Sequence, residues 1–267
     1  MRLELGANVD PSATGLDDAR TIARIADEGG LELIGVQDHP YQRRFLDTFV
    51  LIADLLSRTE RVRIFPNVAN LPLRGAPMIA KAAASLDVLS GGRFELGLGA
   101  GAFWDGIAAM GGPRRSPREA IDALEEAVTV IRDFWRNAGP PPAHEIAIWL
   151  GVYKSRGLAL AGRLADGISV SLPYAPPDEV PALVARVDEA ARAAGRDPAQ
   201  LRRIYNVIGD LDDPPRLVDD LTRWAIELGF DTFVFWPAGE DPVGAQERFV
   251  AEVAPAVRAA VGSADRV

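Results

Sequence analysis

Cysteine is absent from the chain, so neither a disulfide nor a thiolate-held metal is available to it. Histidine is nearly absent: His39 and His144 are the only two, and no metal site is expected. Lysine is scarce as well, Lys81 and Lys154 being the only ones among 29 basic residues. No apolar run reaches the roughly 18 residues of a membrane-spanning helix. The first ten residues, MRLELGANVD, lack the basic-then-apolar order of a secretory leader, so a cytoplasmic location is expected. Positive charge is in the minority, 29 Lys and Arg against 38 Asp and Glu, for a formal net charge of −9. General attraction to nucleic-acid phosphates or to an anionic membrane is thereby disfavoured. A phosphate on a small ligand stays open, because it needs only a local site.

What is present points to a large packed core: 48% of residues are hydrophobic and 25% charged. The 267 residues suit one α/β barrel, which commonly takes about 250. Strands are expected at 3–7, 33–37, 62–66, from 93, and at 146–150, 167–171, 203–208 and 231–236. Helices are expected at 16–28, 48–57, 77–89, 117–135, up to 164, and at about 177–194, 215–228 and 244–260. Eight strands alternating with eight helices predict a (β/α)8 TIM barrel, one domain over residues 1–267. The Pro-rich NAGPPPAHE at 137–145 is no domain boundary, since an apolar strand follows at once. An open doubly wound sheet is the runner-up, but Ala7-Asn8-Val9-Asp10 stands where its Gly-rich phosphate turn would follow the first strand.

Residues 86–101, LDVLSGGRFELGLGAG, carry the most information. Leu86, Val88 and Leu89 close an apolar helix, and Gly91-Gly92 ends it where positive φ is needed. Phe94, Leu96 and Leu98 then alternate with Glu95, Gly97 and Gly99, so one face of the fourth strand is bulky and the other nearly bare. Gly99-Ala100-Gly101 ends the strand where backbone can approach a ligand, and Phe103-Trp104 follows with aromatic surface.

In a barrel the reacting groups sit at the carboxyl ends of the strands. The candidates there are Asn8 and Asp10, Asp38 and His39, Asn67 and Asn70, residues 99–105, and residues 151–156. His39 is the only histidine at that rim and the side chain best suited to proton transfer near neutral pH, and the adjacent Asp38 is expected to orient it or raise its pKa. His144 precedes the fifth strand and belongs to the opposite, stability face. Gly151 leads to Lys154, Ser155 and Arg156 at the start of a helix, where free N–H groups favour an anion. Arg63 and Glu95 fall on inward faces and are expected to pair. Asp166 is read as a structural turn residue.

These segments, together with AIWLGVYKSRGLALAGRLADG at 147–167 and GFDTFVF at 229–235, resemble the luciferase-like monooxygenase superfamily of flavin- and deazaflavin-dependent oxidoreductases. The pieces occur in family order over nearly the whole chain. The resemblance implies a barrel that holds coenzyme F420, a deazaflavin, or FMN, with a lean to the deazaflavin from Asp38-His39. It places catalytic His39 beside the reactive ring, a non-proline cis peptide at Asn67-Val68 behind the ring, and Ala100 and Gly101 at its edge. Asp38 and Asn70 join the cofactor site, and Gly151, Val152, Tyr153, Lys154 and Ser155 hold the phosphate. Hydride transfer to or from a small organic substrate is the implied activity, oxygenation with FMN the alternative, and a homodimer the implied assembly. The sugar-phosphate dehydrogenases of the family have a glutamate directly after the strand-four glycine; Ala102 stands there in this chain. The chain is also compact for the family, without the long insertion near the seventh strand. Two other classes fit the residues: a non-catalytic flavin-binding barrel, and a cofactor-free isomerase of a sugar phosphate using the strand-five anion site.

Overall fold

The structure, a computed structural model, describes residues 3–209 and 211–264. Its strands are β1 (Glu4–Val9), β2 (Leu33–Val36), β3 (Arg63–Pro66), β4 (Ala69–Asn70), β5 (Leu96–Gly99), β6 (Ile148–Gly151), β7 (Gly167–Ser171), β8 (Arg202–Gly209) and β9 (Thr232–Pro237). All pair in parallel in the order β3-β2-β1-β9-β8-β7-β6-β5-β4. The two ends meet, because Ile64 N–H donates to the Arg93 carbonyl at 2.9 Å and Glu95 N–H to the Ile64 carbonyl at 3.1 Å. The result is the expected TIM barrel, with one difference: the third strand is broken by Asn67 and Val68 into β3 and β4, so among the described residues nine segments stand where eight were expected.

Helices α1 (Leu16–Glu28), α2 (Thr48–Ser57), α3 (Leu71–Arg74), α4 (Ala76–Ser90), α5 (Trp104–Ala109), α6 (Pro117–Asn137), α7 (Ser155–Leu164), α8 (Val180–Ala193), α9 (Pro214–Leu228), α10 (Pro242–Arg248) and α11 (Ala254–Ala264) complete it. The short α3 and α5 lie within what sequence alone reads as loops. Local chemistry sets the ends. Ser116 and Glu119 form a reciprocal capping box at the start of α6, with Pro117 at its first position. Asp47 accepts hydrogen bonds from the Phe49 and Val50 N–H groups at the start of α2. Gly91, at φ 69°, ends α4 in the left-handed conformation. Along α6, Ala120, Leu124, Ala127, Val128 and Ile131 repeat at helical spacing and are the buried stripe.

The sheet separates two cores. Outside it, Leu5, Ala7 and Val9 of β1 and Phe94, Leu96 and Leu98 near β5 pack against the helices. Inside it, Leu33, Phe65, Trp149, Ile204 and Val234 form a separate apolar plug, with Phe65 and Trp149 edge to face at 5.0 Å. Period two thus assigns β5 as expected, its bulky face outward.

Below the plug, at the amino ends of the strands, lies an ionic cluster. Arg63 donates to Glu95 and to Glu4, each at 2.7 Å. Arg202 reaches Glu4 at 2.7 Å and the Thr232 hydroxyl at 2.7 Å. The pairing of Arg63 with Glu95 is as the sequence predicts; Glu4 makes it a triad. His144 lies on this face too, its Nδ1 2.6 Å from Asp87 and its Nε2 3.6 Å from Glu95. Asp166, held by Arg132 at 2.8 Å, accepts a hydrogen bond from Ile148 N–H and is structural.

Candidate active site

Above the plug, the carboxyl ends of the strands open into a cavity of about 620 Å³. Asp38 and His39 line it beyond β2, Asn67, Val68 and Asn70 at the β3–β4 break, Ala100 and Gly101 beyond β5, and Gly151, Val152, Tyr153 and Lys154 beyond β6. Ser155 does not line it: as the first residue of α7 it is exposed to solvent. Asn8 and Asp10 are also outside the lining.

The wall between β3 and β6 is built by one bulge. The Asn67-Val68 peptide is cis, and the Val68 side chain lies across the bare strand faces. A Cβ on Gly99 would stand 2.7 Å, and one on Gly151 2.9 Å, from Val68 Cγ2. The glycines therefore make room for Val68, which itself lines the cavity. Beside it, the other half of the bulge sends Asn67 into an amide cluster that floors the cavity. Asn67 Nδ2 donates to Asn206 Oδ1 at 2.6 Å, Ser169 Oγ donates to Asn67 Oδ1 at 3.0 Å, and Asn206 Nδ2 donates to the Val170 carbonyl at 3.0 Å. Among the described residues, Asn70 Oδ1 on the cavity wall and both side-chain polar atoms of Asn8 nearby have no hydrogen-bond partner. Most buried polar groups in folded proteins are paired, and orphaned ones commonly mark a place that a ligand or water completes.

The His39 end differs from its expected wiring in one respect. Asp38, 3% exposed, neither touches nor orients the imidazole. It accepts two hydrogen bonds from Arg74, both at 2.7 Å, and one from Asn70 N–H at 2.8 Å. A forked guanidinium satisfies a buried carboxylate better than a single ring nitrogen does. His39 instead has Nδ1 2.6 Å from the Tyr41 hydroxyl, and Phe103 stands edge-on to its ring at 5.5 Å. Burial pulls the His39 pKa below the usual imidazole value, more strongly than the Asp38 charge raises it. Burial, with Asp38, pushes the Tyr41 phenol up to about 12. Near neutral pH the pair is therefore a neutral imidazole on a neutral phenol. The hydroxyl can donate to Nδ1 or accept from it, so either tautomer of His39 is supported.

At the far end, Lys154 is the N-cap residue of α7 and supplies no side-chain cap. The N–H groups of the first turn are left to another acceptor, and the helix dipole favours an anion there. Among the described residues Lys154 has no ion-pair partner, whereas Arg156 is held by Asp122 and the Arg118 carbonyl.

Sequence reading missed several lining residues: Tyr41, Arg118, Ile121, Ser169 and Asn206. Two carried a usable signal. Asn206 is an amide at an inward position of a strand, and Arg118 sits in the first turn of a barrel helix, which faces the carboxyl rim. Tyr41 lay in a polar loop with nothing to mark it.

The luciferase-like monooxygenase family model matches residues 3–227. A 5,10-methylenetetrahydromethanopterin reductase of Methanolobus tindarius is 28% identical over 190 residues, 67% of this chain and 57% of that protein, so the match spans little more than half the relative's length. An F420-dependent glucose-6-phosphate dehydrogenase of Kribbella flavida is 29% identical over 248 residues, 84% of this chain and 74% of that one. Among solved structures, an F420-dependent secondary alcohol dehydrogenase in complex with an F420-acetone adduct superposes with a TM-score of 0.84 at 20% identity, covering 97% of this chain and 100% of the other. That last likeness is one of fold.

Proposed function

The chain belongs to the luciferase-like monooxygenase family, and from that premise we propose that it is an oxidoreductase holding a flavin-type cofactor, the deazaflavin coenzyme F420 in preference to FMN. It moves a hydride to or from a small organic substrate. The observation that carries this is the cavity itself, with a neutral His39–Tyr41 pair at one end and an uncapped helix start beside an unpaired Lys154 at the other. The residues present suit such a group: Asn70 Oδ1 is an acceptor in want of a donor, and the Lys154 end suits a phosphate.

When bound, the ring supplies two-electron hydride exchange, which no side chain here can perform. The protein's own residues do the rest. Val68, backed by Gly99 and Gly151, would give a firm apolar support to the ring, and Ala100 and Gly101 would allow its close approach. Asn67 and Asp38 act from beneath: the first through the amide floor, the second by holding Arg74 and the Asn70 backbone in place. Val152, Tyr153 and Lys154, with Gly151 at their head, would hold the phosphate. His39 gives a proton to, or takes one from, the substrate oxygen through Nε2, while Tyr41 serves Nδ1. Cytoplasmic residence and a homodimer belong to the same proposal, to be read by cell fractionation and by mass in solution.

The test is a titration of the apo protein with FMN and the deazaflavin side by side. Saturable binding of the deazaflavin, at least about tenfold tighter than FMN (about 1.4 kcal/mol), is the expected result. Tighter FMN binding moves the reading to the oxygen-using branch. No affinity for either ring defeats it in favour of a cofactor-free isomerase, and binding without turnover of any donor leaves a binding protein.

A further inference from the structure

The charge along the cavity is lopsided, and we propose that this assigns the substrate: the His39 end is a subsite for an uncharged, mainly apolar alcohol or carbonyl compound, and it refuses phosphorylated and carboxylated ones. The inference rests on the cofactor reading in one respect only, that the cofactor's phosphate takes the Lys154 end. The cationic side chains of the lining are Arg118 in the first turn of α6, Lys154 at the β6–α7 turn and Arg156 in the first turn of α7. Around His39 stand the rings of Tyr41, Phe45 and Phe103; Ala102 and Trp104 flank Phe103 in the lining, and Asp38, its carboxylate already held by Arg74 and Asn70 N–H, is the one charged residue beside them.

Of the arginines near that end three are engaged elsewhere, and Arg43 and Arg115 stand outside the lining. Arg74 is held by Asp38 at 2.7 Å and Asp47 at 2.9 Å. Arg114 pairs with Asp105. Arg44 lies over the Phe45 ring at 4.5 Å and 3.3 Å from Asp10. Arg43 is exposed and outside the lining. A carboxylate or phosphate entering here would lose hydration beside Asp38 and gain no counter-charge, which is the least favourable way to bury an ion.

An uncharged molecule meets the opposite conditions. His39 and the Tyr41 hydroxyl supply one polar handle for a hydroxyl or carbonyl oxygen. The remaining surface is aromatic, and Phe103, 55% exposed, presents a ring with no cover on one side. That wall is packed in place: Gly106 of α5 lies so close to Tyr41 that a Cβ there would stand 2.6 Å from the ring. An exposed aromatic on a fixed wall next to a neutral proton carrier is the pattern of an apolar pocket with one orienting polar group.

The presence of only two histidines makes the test direct. The imidazole resonances of the full-length protein are followed while cyclohexanone, benzyl alcohol, lactate or glucose 6-phosphate is added, with and without saturating cofactor. The neutral probes should shift His39 and leave His144 unmoved; the two anions should shift neither. Phe103→Ala should weaken the neutral probes by roughly tenfold, and Phe103→Lys should let lactate bind. Lactate or glucose 6-phosphate acting on His39 at concentrations equal to or below those of the neutral probes would overturn the proposal, as would silence from all four. Should neither ring bind, the cofactor reading fails by itself, and the titration of the apo protein still decides the subsite.

Discussion

The two ends of this barrel interior solve the problem of buried polarity in opposite ways. At the amino end the polar groups are charged and matched to one another: Arg63 to Glu4 and Glu95, Arg202 to Glu4 and Thr232. On the floor of the carboxyl end they are neutral amides and a hydroxyl, the Asp38–Arg74 pair at the rim being the charged exception, and Asn8 and Asn70 leave atoms without partners. The apolar plug of Leu33, Phe65, Trp149, Ile204 and Val234 keeps the two apart. A closed ionic cluster has nothing left to offer a ligand, so its work is to hold the strands in one arrangement. An open amide floor next to glycine-bared strands is the reverse, a surface waiting for something to finish it.

The contrast breaks first if the ionic end tolerates loss. Removing one partner from a buried pair typically costs about 3–5 kcal/mol, because the remaining charges stay buried. Arg63→Met should therefore lower the stability by that order, with cofactor affinity of the folded fraction unchanged. Denaturant unfolding of Arg63→Met, Glu95→Gln and the double variant reads the coupling. Additive losses, with no coupling, would show that the two do not act as a pair.

The carboxyl end should respond the other way, in chemistry and not in stability. His39→Asn keeps size and some hydrogen bonding but cannot exchange a proton near neutral pH, so turnover should fall by roughly 10²–10⁴ with little change in melting temperature. Because burial lowers the His39 pKa, the acid limb of the kcat/KM profile should lie below the usual imidazole value of 6.5. Tyr41→Phe should leave a smaller loss and move that limb, since the partner of Nδ1 is gone. A profile that is identical in all three proteins would leave His39 as a binding residue only.

How far the sequence announces this contrast depends on whether each feature is local. The alternation of strands and helices was readable because its punctuation, such as Gly91-Gly92 after α4 and Pro117 opening α6, lies within a few residues of what it ends or starts. The inward side of β5 was readable from period two. Pairing across the barrel was readable only in part. Counting inward positions linked Arg63 to Glu95, but the Asn67–Asn206 bond spans 139 residues and the Arg74–Asp38 fork 36. Asp38 and His39 are chain neighbours, and adjacency invited a partnership that the structure gives to Arg74 and Tyr41. The break of the third strand into β3 and β4 leaves no mark in hydrophobic period. Its sign is indirect, the glycines of the neighbouring strands that accept Val68.

A subtler difference between the ends concerns pH. The Glu95 carboxylate, with Asp87, raises the His144 pKa above its usual 6.5 against the cost of partial burial. A group whose folded pKa is raised contributes stability that is fully present below its unfolded pKa and is lost as pH rises through the folded value. The melting temperature should accordingly decline as pH rises from about 6.5 through the raised folded value. His144→Gln should flatten that decline. Parallel curves for the two proteins would mean that the Asp87 carboxylate is served by the Ala143 and His144 backbone N–H groups alone.

The smallest effect belongs to Lys154, and it separates charge from shape at the cavity's far end. Its side chain is exposed, so water screens whatever attraction it has for a phosphate. Backbone N–H groups at the start of α7 contribute independently of the side chain. An exposed ion pair contributes up to about 1 kcal/mol, so Lys154→Ala should weaken the phosphorylated cofactor by only about twofold to fivefold. The dephosphorylated form should bind both proteins alike. Added salt should weaken the phosphorylated form in the unsubstituted protein and affect the variant less, because the screened interaction is the one that was removed. Equal losses for both forms of the cofactor, unaffected by salt, would mean that the turn from Gly151 to Lys154 recognises its ligand by fit, and that the anion is held by the helix start alone.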